Sequence, residues 1–246
     1  MRFFLLLSSI IFSLFFSTQK VEAVAPYCVT VPVLMYHHIQ PTKDAAQKKQ
    51  SGLNVDNGMF DLQMEYLKSH GYTTITAKQL IDSLRTHVSL PKKSIVLTFD
   101  DGYKDNYTYA LPIFKKYGVT ANLMLATGLM EGADYLSWDQ VNEMKNNGVY
   151  FTDHTWSHYG VGRGSQDKIK FEIETAKKQI EDHTGQHVDI FTYPYGSFSN
   201  AAISILQQDG FLGAFSTIPG FSQCDSFIMN LHRTRIGNAP LSAYGL

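Results

Sequence analysis

Short apolar runs alternate with amphipathic stretches along most of the chain, which predicts parallel strands with helices packed outside them. Phe60, Met64 and Leu67 make one apolar stripe, predicting a helix over 59–67 that Gly71 ends. A strand over 72–76 and a helix over 77–86 follow, and then the run Ser94-Ile95-Val96-Leu97 reads as a buried strand. The stretch 106–117 reads as a helix despite Pro112, 119–126 as a strand, and 138–147 as a helix leading into Gly148-Val149-Tyr150-Phe151. The clearest helix spans 166–183, where Ile169, Ile173, Ala176 and Ile180 recur at helical spacing; its charged face reads as a solvated surface without function. A strand over 188–193, a helix over 199–208 and a strand over 211–217 complete the alternation. The period alone accepts a doubly wound sheet and a barrel equally.

Two polar patterns punctuate the apolar runs. Thr98-Phe99-Asp100-Asp101-Gly102 ends a buried strand in two adjacent carboxylates, at the sheet edge where α/β folds place their chemistry. Neighbouring acids on a strand point in opposite directions, so one can bind a metal while the other takes a proton. The competing reading is a solvated Asp-Asp-Gly turn. Asp153-His154-Thr155-Trp156-Ser157-His158 follows a second apolar run. Histidines four apart share one face of a helical turn and reach one cation from there; otherwise they are a surface pair. Asp101, His154 and His158 supply the three ligands that a catalytic metal with an open position requires.

With these patterns on one chain, the sequence resembles the polysaccharide deacetylases, the carbohydrate esterase family built on the nodulation-type deacetylase domain. The family's first motif is complete at Thr98-Phe99-Asp100-Asp101-Gly102, and its His-(Ser/Thr)-x-x-His motif at His154 to His158. Its third motif, usually Arg-x-Pro-Tyr, is met by Thr192-Tyr193-Pro194-Tyr195-Gly196, with Thr192 in the arginine's place. Val31-Pro32-Val33-Leu34-Met35-Tyr36-His37-His38-Ile39 is similar to the opening strand of the branch that deacetylates poly-β-1,6-N-acetylglucosamine in biofilm matrices. In that branch the strand bearing the catalytic histidine comes first.

The resemblance implies an irregular (β/α)7-type barrel and a divalent cation on Asp101, His154 and His158. Zinc is the first choice, with cobalt and nickel also suited to two imidazoles and a carboxylate. It implies Asp100 as general base, His37 as general acid and the Tyr195 backbone N–H as an oxyanion donor, so that water attacks without a serine or cysteine nucleophile. Arg233 and Arg235, two apart on one strand face, are candidates to replace the missing arginine, with at least one of them read as an exposed edge charge. His232 competes with His37 for the acid role. His38 is expected to face away and to matter little. Of the aromatics near the motifs (Tyr36, Trp138, Trp156, Tyr193 and Tyr195), Tyr195 and Trp138 are the candidates for stacking on sugar. The expected substrate is an N-acetylglucosamine polysaccharide, β-1,6-linked first and peptidoglycan or chitin-type second. The absent arginine is the one feature pointing instead to a non-catalytic glycan-binding protein.

Residues 1–23 read as a signal peptide, with Arg2 ahead of an apolar core and Val21-Glu22-Ala23 at the cleavage positions; an uncleaved anchor is the alternative. Residues 24–246 are then expected to form one deacetylase domain, with no separate glycoside hydrolase domain, in a protein exported to the periplasm, cell envelope or medium. The formal charge of −1 becomes about −2 once Arg2, Lys20 and Glu22 leave, which gives no electrostatic case for nucleic acid. A monomer associated with the cell envelope is expected. Cys28 and Cys224 survive cleavage; an oxidising compartment permits their disulfide, although pairing cannot be read from sequence.

Overall fold

The computed structural model describes residues 25–246; the expected signal segment 1–23 lies outside them. In chain order the strands are β1 (Cys28–Thr30), β2 (Val33–Tyr36), β3 (His38–Ile39), β4 (Asn54–Val55), β5 (Thr73–Ile75), β6 (Ser94–Asp101), β7 (Ala121–Leu125), β8 (Val149–Asp153), β9 (Ile190–Thr192), β10 (Gly213–Phe215), β11 (Ser222–Cys224) and β12 (Thr234–Arg235). The helices are α1 (Thr42–Gln47), α2 (Asn57–Ser69), α3 (Ala77–Thr86), α4 (Leu111–Tyr117), α5 (Trp138–Lys145), α6 (Gln166–Thr184) and α7 (Asn200–Gln208). The main sheet runs β10-β9-β8-β7-β6-β2-β12, with β5 paired to the first half of β6, and its pairings are parallel. Just before β12, Leu231 bridges in parallel to Phe215 of β10, so the chain from 231 to 235 links the two ends of the sheet. The sheet therefore curls into the irregular (β/α)7-type barrel that the resemblance implies, and the doubly wound alternative falls.

Strand alternation divides the apolar residues into two cores. Leu34 and Tyr36 of β2 and Leu97 and Phe99 of β6 face outward onto Phe60 and Met64 of α2 and Phe114 of α4. Each ring buried there contributes about 1.5–3 kcal/mol. The inward-facing Val33, Val96, Met124 and Leu231 pack against Leu80, Ile81 and Leu84 of α3, which fill the barrel interior. By the same alternation Thr98 and Asp100, at the far end of β6, also face inward. The chemistry thus sits above an interior that is packed rather than open.

Helix starts follow local signals. Thr76 with Gln79, and Ser137 with Gln140, form capping boxes on α3 and α5, while Ser165 caps α6 and Gly185 ends it in the left-handed conformation. The continuous helix expected over 106–117 is corrected: Asn106–Ala110 is a π-helical turn, and α4 begins at Leu111 with Pro112 in its first turn. Proline lacks an N–H and is tolerated only there, so the backbone widens ahead of it. The strands expected over 72–76, 188–193 and 211–217 contract to three residues each. Outside the barrel, β1 pairs antiparallel with β11, placing Cys28 opposite Cys224, and a disulfide joins them. No described helix is long and apolar enough to cross a membrane.

Candidate active site

The carboxyl ends of β2, β6, β8 and β9 open onto a cavity of about 700 Å³ whose lining includes His37, Asp100, Asp101, His154, His158 and Tyr195. Alternation along β6 would send Asp100 and Asp101 to opposite faces. They share the cavity because Asp101 adopts φ 78° and Gly102 follows at φ 79°, turning the strand's last residue back over the barrel mouth. Asp101 is the residue whose left-handed backbone brings the two acids together.

The histidine pair is not on a helix, which corrects the expected helical turn. His154 leaves the end of β8, and the loop to His158 has left-handed residues at Thr155 (φ 66°) and His158 (φ 58°). Several contacts over-determine this loop. Asp153 Oδ1 accepts the Thr155 N–H at 2.7 Å, and Thr155 Oγ1 accepts the Tyr159 N–H at 2.8 Å. The fully buried Glu172 of α6 accepts the Ser157 N–H at Oε2 and the Ser157 Oγ–H at Oε1, at 2.7 Å each, and Lys168 Nζ lies 2.6 Å from that same Oε1. Gly128 donates its N–H to the Trp156 carbonyl at 2.6 Å, and a Cβ at Gly128 would lie 2.7 Å from the Trp156 ring, so only glycine fits. The inward side of α6 therefore holds the loop, where the periodicity suggested only a solvated charged face.

The two imidazoles present matching nitrogens. His154 Nδ1 lies 2.8 Å from the Thr192 carbonyl, which can only accept, so Nδ1 carries the proton and Nε2 keeps its lone pair. That Nε2 is 3.3 Å from Asp101 Oδ1, and His158 Nε2 is 3.1 Å from the same oxygen. His158 Nδ1 meets the Tyr195 hydroxyl at 3.0 Å. Oδ1 of Asp101 is nonetheless a buried oxygen with no well-aligned hydrogen-bond donor among the described residues, and the three ligand atoms lie within 4.8 Å of one another. Three ligand atoms of this kind converging on one point suit a cation, and the outer hydrogen bonds orient them as metal ligands require. The donor set fits a divalent metal ion.

Asp100 is held by Arg233, whose Nη1 and Nη2 donate to Oδ1 and Oδ2 at 2.6 and 2.8 Å. The same guanidinium donates to Thr98 Oγ1 at 3.1 Å and, through Nε, to the Ser216 carbonyl at 2.8 Å. Burial pushes the Asp100 carboxyl up, but the adjacent guanidinium more than offsets it and holds the carboxyl below the usual carboxylate range. Of the two arginines considered, Arg233 is buried and reaches Asp100, while Arg235 is exposed at the cavity and donates to the Gly52 carbonyl. Thr192 contributes its backbone carbonyl to His154, and its hydroxyl is buried without a hydrogen-bond partner among the described residues.

His37 Nε2 stands 4.0 Å from Asp100 Oδ2, between β2 and β3. Burial lowers its pKa, assisted by Arg233 and Arg235 and opposed by Asp100 and Asp101. The competing His232 stacks on Phe227, with ring centroids 4.6 Å apart, and does not line the cavity. Tyr195 follows β9 at φ 59°, 74% exposed, with its ring edge-on to His158. Gly196 lets this turn close, because a Cβ there would sit 2.1 Å from Thr217 Oγ1.

Trp138 corrects the aromatic expectation. It opens α5 and stacks on His183 of α6, with centroids 4.1 Å apart, away from the cavity. Tyr36 and Tyr193 are core residues, and Trp156 packs on Phe171. The rings that do line the cavity beside Tyr195 are Tyr103 and Tyr135. Tyr103 directly follows the Asp-Asp-Gly turn, a signal that could have found it; Tyr135 carried none. His38 is also not idle: it is buried, bonded to Asp105 at 2.6 Å and stacked on Tyr103 with centroids 3.6 Å apart.

Comparison with known proteins agrees with this geometry. The putative polysaccharide deacetylase YxkH of Bacillus subtilis is 29% identical over 206 residues, 84% of this chain and 71% of that protein. The poly-β-1,6-N-acetyl-D-glucosamine N-deacetylase of Escherichia coli is 24% identical over 221 residues, which span 72% of this chain but 33% of that longer protein. Among solved structures, the Streptococcus pyogenes deacetylase PplD in complex with acetate superposes with a TM-score of 0.80 at 29% identity, covering 86% of this chain and 93% of that one. The polysaccharide deacetylase family model matches residues 87–214, a span that holds all three motifs while leaving His37 and Arg233 on either side. A chain with these motifs, this barrel and this match belongs to the polysaccharide deacetylase family and is a hydrolase of that class.

Proposed function

We propose that the chain is a metal-dependent N-deacetylase of N-acetylglucosamine polysaccharide, with the β-1,6-linked polymer as preferred substrate. The observation that carries this reading is the Arg233–Asp100 ion pair beside the three-ligand set, since it gives the base its steadying charge without the usual third-motif arginine. It also removes the one argument for a non-catalytic binding protein.

A divalent cation held by Asp101, His154 and His158, with zinc favoured and cobalt or nickel also suited, would activate a water and polarise the acetyl carbonyl. Asp100 takes a proton from the attacking water. Both of its oxygens keep a lone pair after bonding Arg233, and the guanidinium keeps the carboxylate ionised until it is needed. The Tyr195 backbone N–H donates to the oxyanion as it forms. His37, on the Asp100 side of the cavity, protonates the nitrogen as the C–N bond breaks, and acetate and a free amine leave.

The likeness to poly-β-1,6-N-acetylglucosamine deacetylases of Escherichia coli and Staphylococcus aureus, at 24% and 23% identity, supports the linkage. We assign residues 1–23 to a signal peptide and 24–246 to the mature domain, a monomer exported to the cell envelope or beyond, where the Cys28–Cys224 bridge persists. Acetate release from β-1,6- and β-1,4-linked N-acetylglucosamine oligomers tests the substrate. Faster release from the β-1,6 series is expected, and a preference for the β-1,4 series would redirect the reading to peptidoglycan or chitin-type substrates.

A further inference from the structure

Arg233 owes its place to a short length of backbone, and one side chain outside the cavity holds that backbone. Leu231 and Arg233 give their N–H groups to the Ala214 and Ile218 carbonyls, at 2.8 and 2.9 Å. The N–H and carbonyl of His232 between them therefore turn to the other side, toward β2. There the ladder of β12 with β2 pairs Thr234 with Leu34 and carries the Ile236 N–H to the Met35 carbonyl at 3.0 Å. Four residues earlier in the same register, the His232 N–H would meet the Val31 carbonyl.

Gln223 of β11 stands between them instead. Its Oε1 accepts the His232 N–H at 3.0 Å, and its Nε2 donates to the His232 carbonyl at 3.0 Å and to the Val31 carbonyl at 3.2 Å. The side chain is fully buried, so these backbone groups are its partners in place of water. A carboxamide that pairs both backbone groups of one residue serves as a rung of the sheet. It keeps His232 one hydrogen-bonded unit farther from Val31 than a direct rung would. β11 is itself fixed, by the disulfide at the next residue, Cys224, and by the Val31 N–H on the Phe221 carbonyl at 2.8 Å.

Arg233 follows directly, fully buried, with its fork on both Asp100 oxygens. That fork is planar and rigid, so a small shift of its backbone takes one arm off the carboxylate. We propose that Gln223 is a positioning residue: it sets the depth at which Arg233 enters the barrel and thereby the orientation of Asp100. Gln223 does not line the cavity, and its effect on turnover passes through Arg233. The inference rests on the deacetylase reading and extends it to a residue outside the site.

The test is a double-mutant cycle on kcat and KM for acetate release. Gln223→Met, which nearly keeps the volume and removes the hydrogen bonds, is made in wild type and in Arg233→Lys. In wild type it should lower kcat roughly 10- to 100-fold, the cost of a small misplacement, with KM within about twofold. In Arg233→Lys, which has already lost the fork, the same change should cost less than about threefold. Gln186→Met is the control, because Gln186 pairs the N–H and carbonyl of Phe151 on β8 in the same way and should cost one factor in both backgrounds. An equal loss from Gln223→Met in both backgrounds, a loss carried by KM alone, or the same background dependence in Gln186→Met would overturn the proposal. Gln223→Asn, which keeps the amide but shortens its reach, takes over the same comparison if Gln223→Met does not fold. If wild type releases no acetate, the deacetylase reading fails. Unfolding still judges the positioning. The Asp100–Arg233 coupling, from a cycle of Asp100→Asn and Arg233→Lys, should fall about fivefold or more in the Gln223→Met protein, and an unchanged coupling rejects it.

Discussion

Arg233 and Asp100 lie 133 residues apart in sequence and meet as a two-pronged, buried ion pair, 2.6 and 2.8 Å across its two arms. The guanidinium is also satisfied by Thr98 and by the Ser216 carbonyl, so its burial leaves few donors unpaired. A base held in this way has a fixed orientation and a fixed charge.

Removing one member of such a pair strands the other in the barrel interior. Arg233→Ala should therefore lose about 3–5 kcal/mol of stability in denaturant unfolding and most of the turnover. Arg233→Lys restores the charge without the planar fork and should regain only part of each. A stability change within about 0.5 kcal/mol for Arg233→Ala would show the pair to be unimportant.

The depressed Asp100 carboxyl sets a pH dependence. A carboxylate whose folded pKa lies below its unfolded value stabilises fully above the unfolded value, and loses that stabilisation as pH falls through the folded one. The stability difference between wild type and Asp100→Asn should be largest near neutrality and shrink as pH drops below about 4. A difference that stays constant or grows on acidification would contradict the assignment.

His37→Ala should depress kcat by roughly 10² to 10⁴ while leaving bound metal in place, because it supplies a proton and no ligand. His232→Ala should be mild, since that ring packs on Phe227 outside the cavity. Abolished turnover in His232→Ala with near-normal His37→Ala would move the acid to the end of the chain.

Glu172 acts on the metal loop from behind. Glu172→Gln removes the charge that holds Ser157 and should lower metal affinity about 10- to 100-fold in chelator competition, the usual worth of an outer partner. Unchanged affinity in a folded Glu172→Gln protein would confine Glu172 to ordinary packing.

How much of this was legible in the sequence depended on distance along the chain. Asp100, Asp101, His154 and His158 stand in two short motifs, each at the end of an apolar run, so both motifs and the strands beneath them could be read locally. The direction of Asp101 could not, because alternation assumes an extended backbone and the turn at φ 78° breaks it. Four-residue spacing suggested a helical turn for the histidines. A loop pinned by Glu172 satisfies the same spacing, and nothing local announces a contact to a helix residue 15 positions on. Arg233 was one of two candidates until tertiary structure buried it and left Arg235 at the cavity. His38 was set aside because its direction could be read while its partners, Asp105 and Tyr103, could not. Trp138 shows the converse error, nearness to a motif in sequence taken for nearness in space.

The central claim is that Asp101, His154 and His158 hold a catalytic divalent ion. Elemental analysis of purified wild type and His154→Ala, with acetate release measured before and after chelation, tests it most directly. The account predicts about one divalent ion per wild-type chain, as a three-ligand site requires. Activity should be lost on chelation and return with added zinc, and both metal and activity should be largely missing in His154→Ala. Full metal occupancy in His154→Ala, or undiminished activity in chelated wild type, would contradict it.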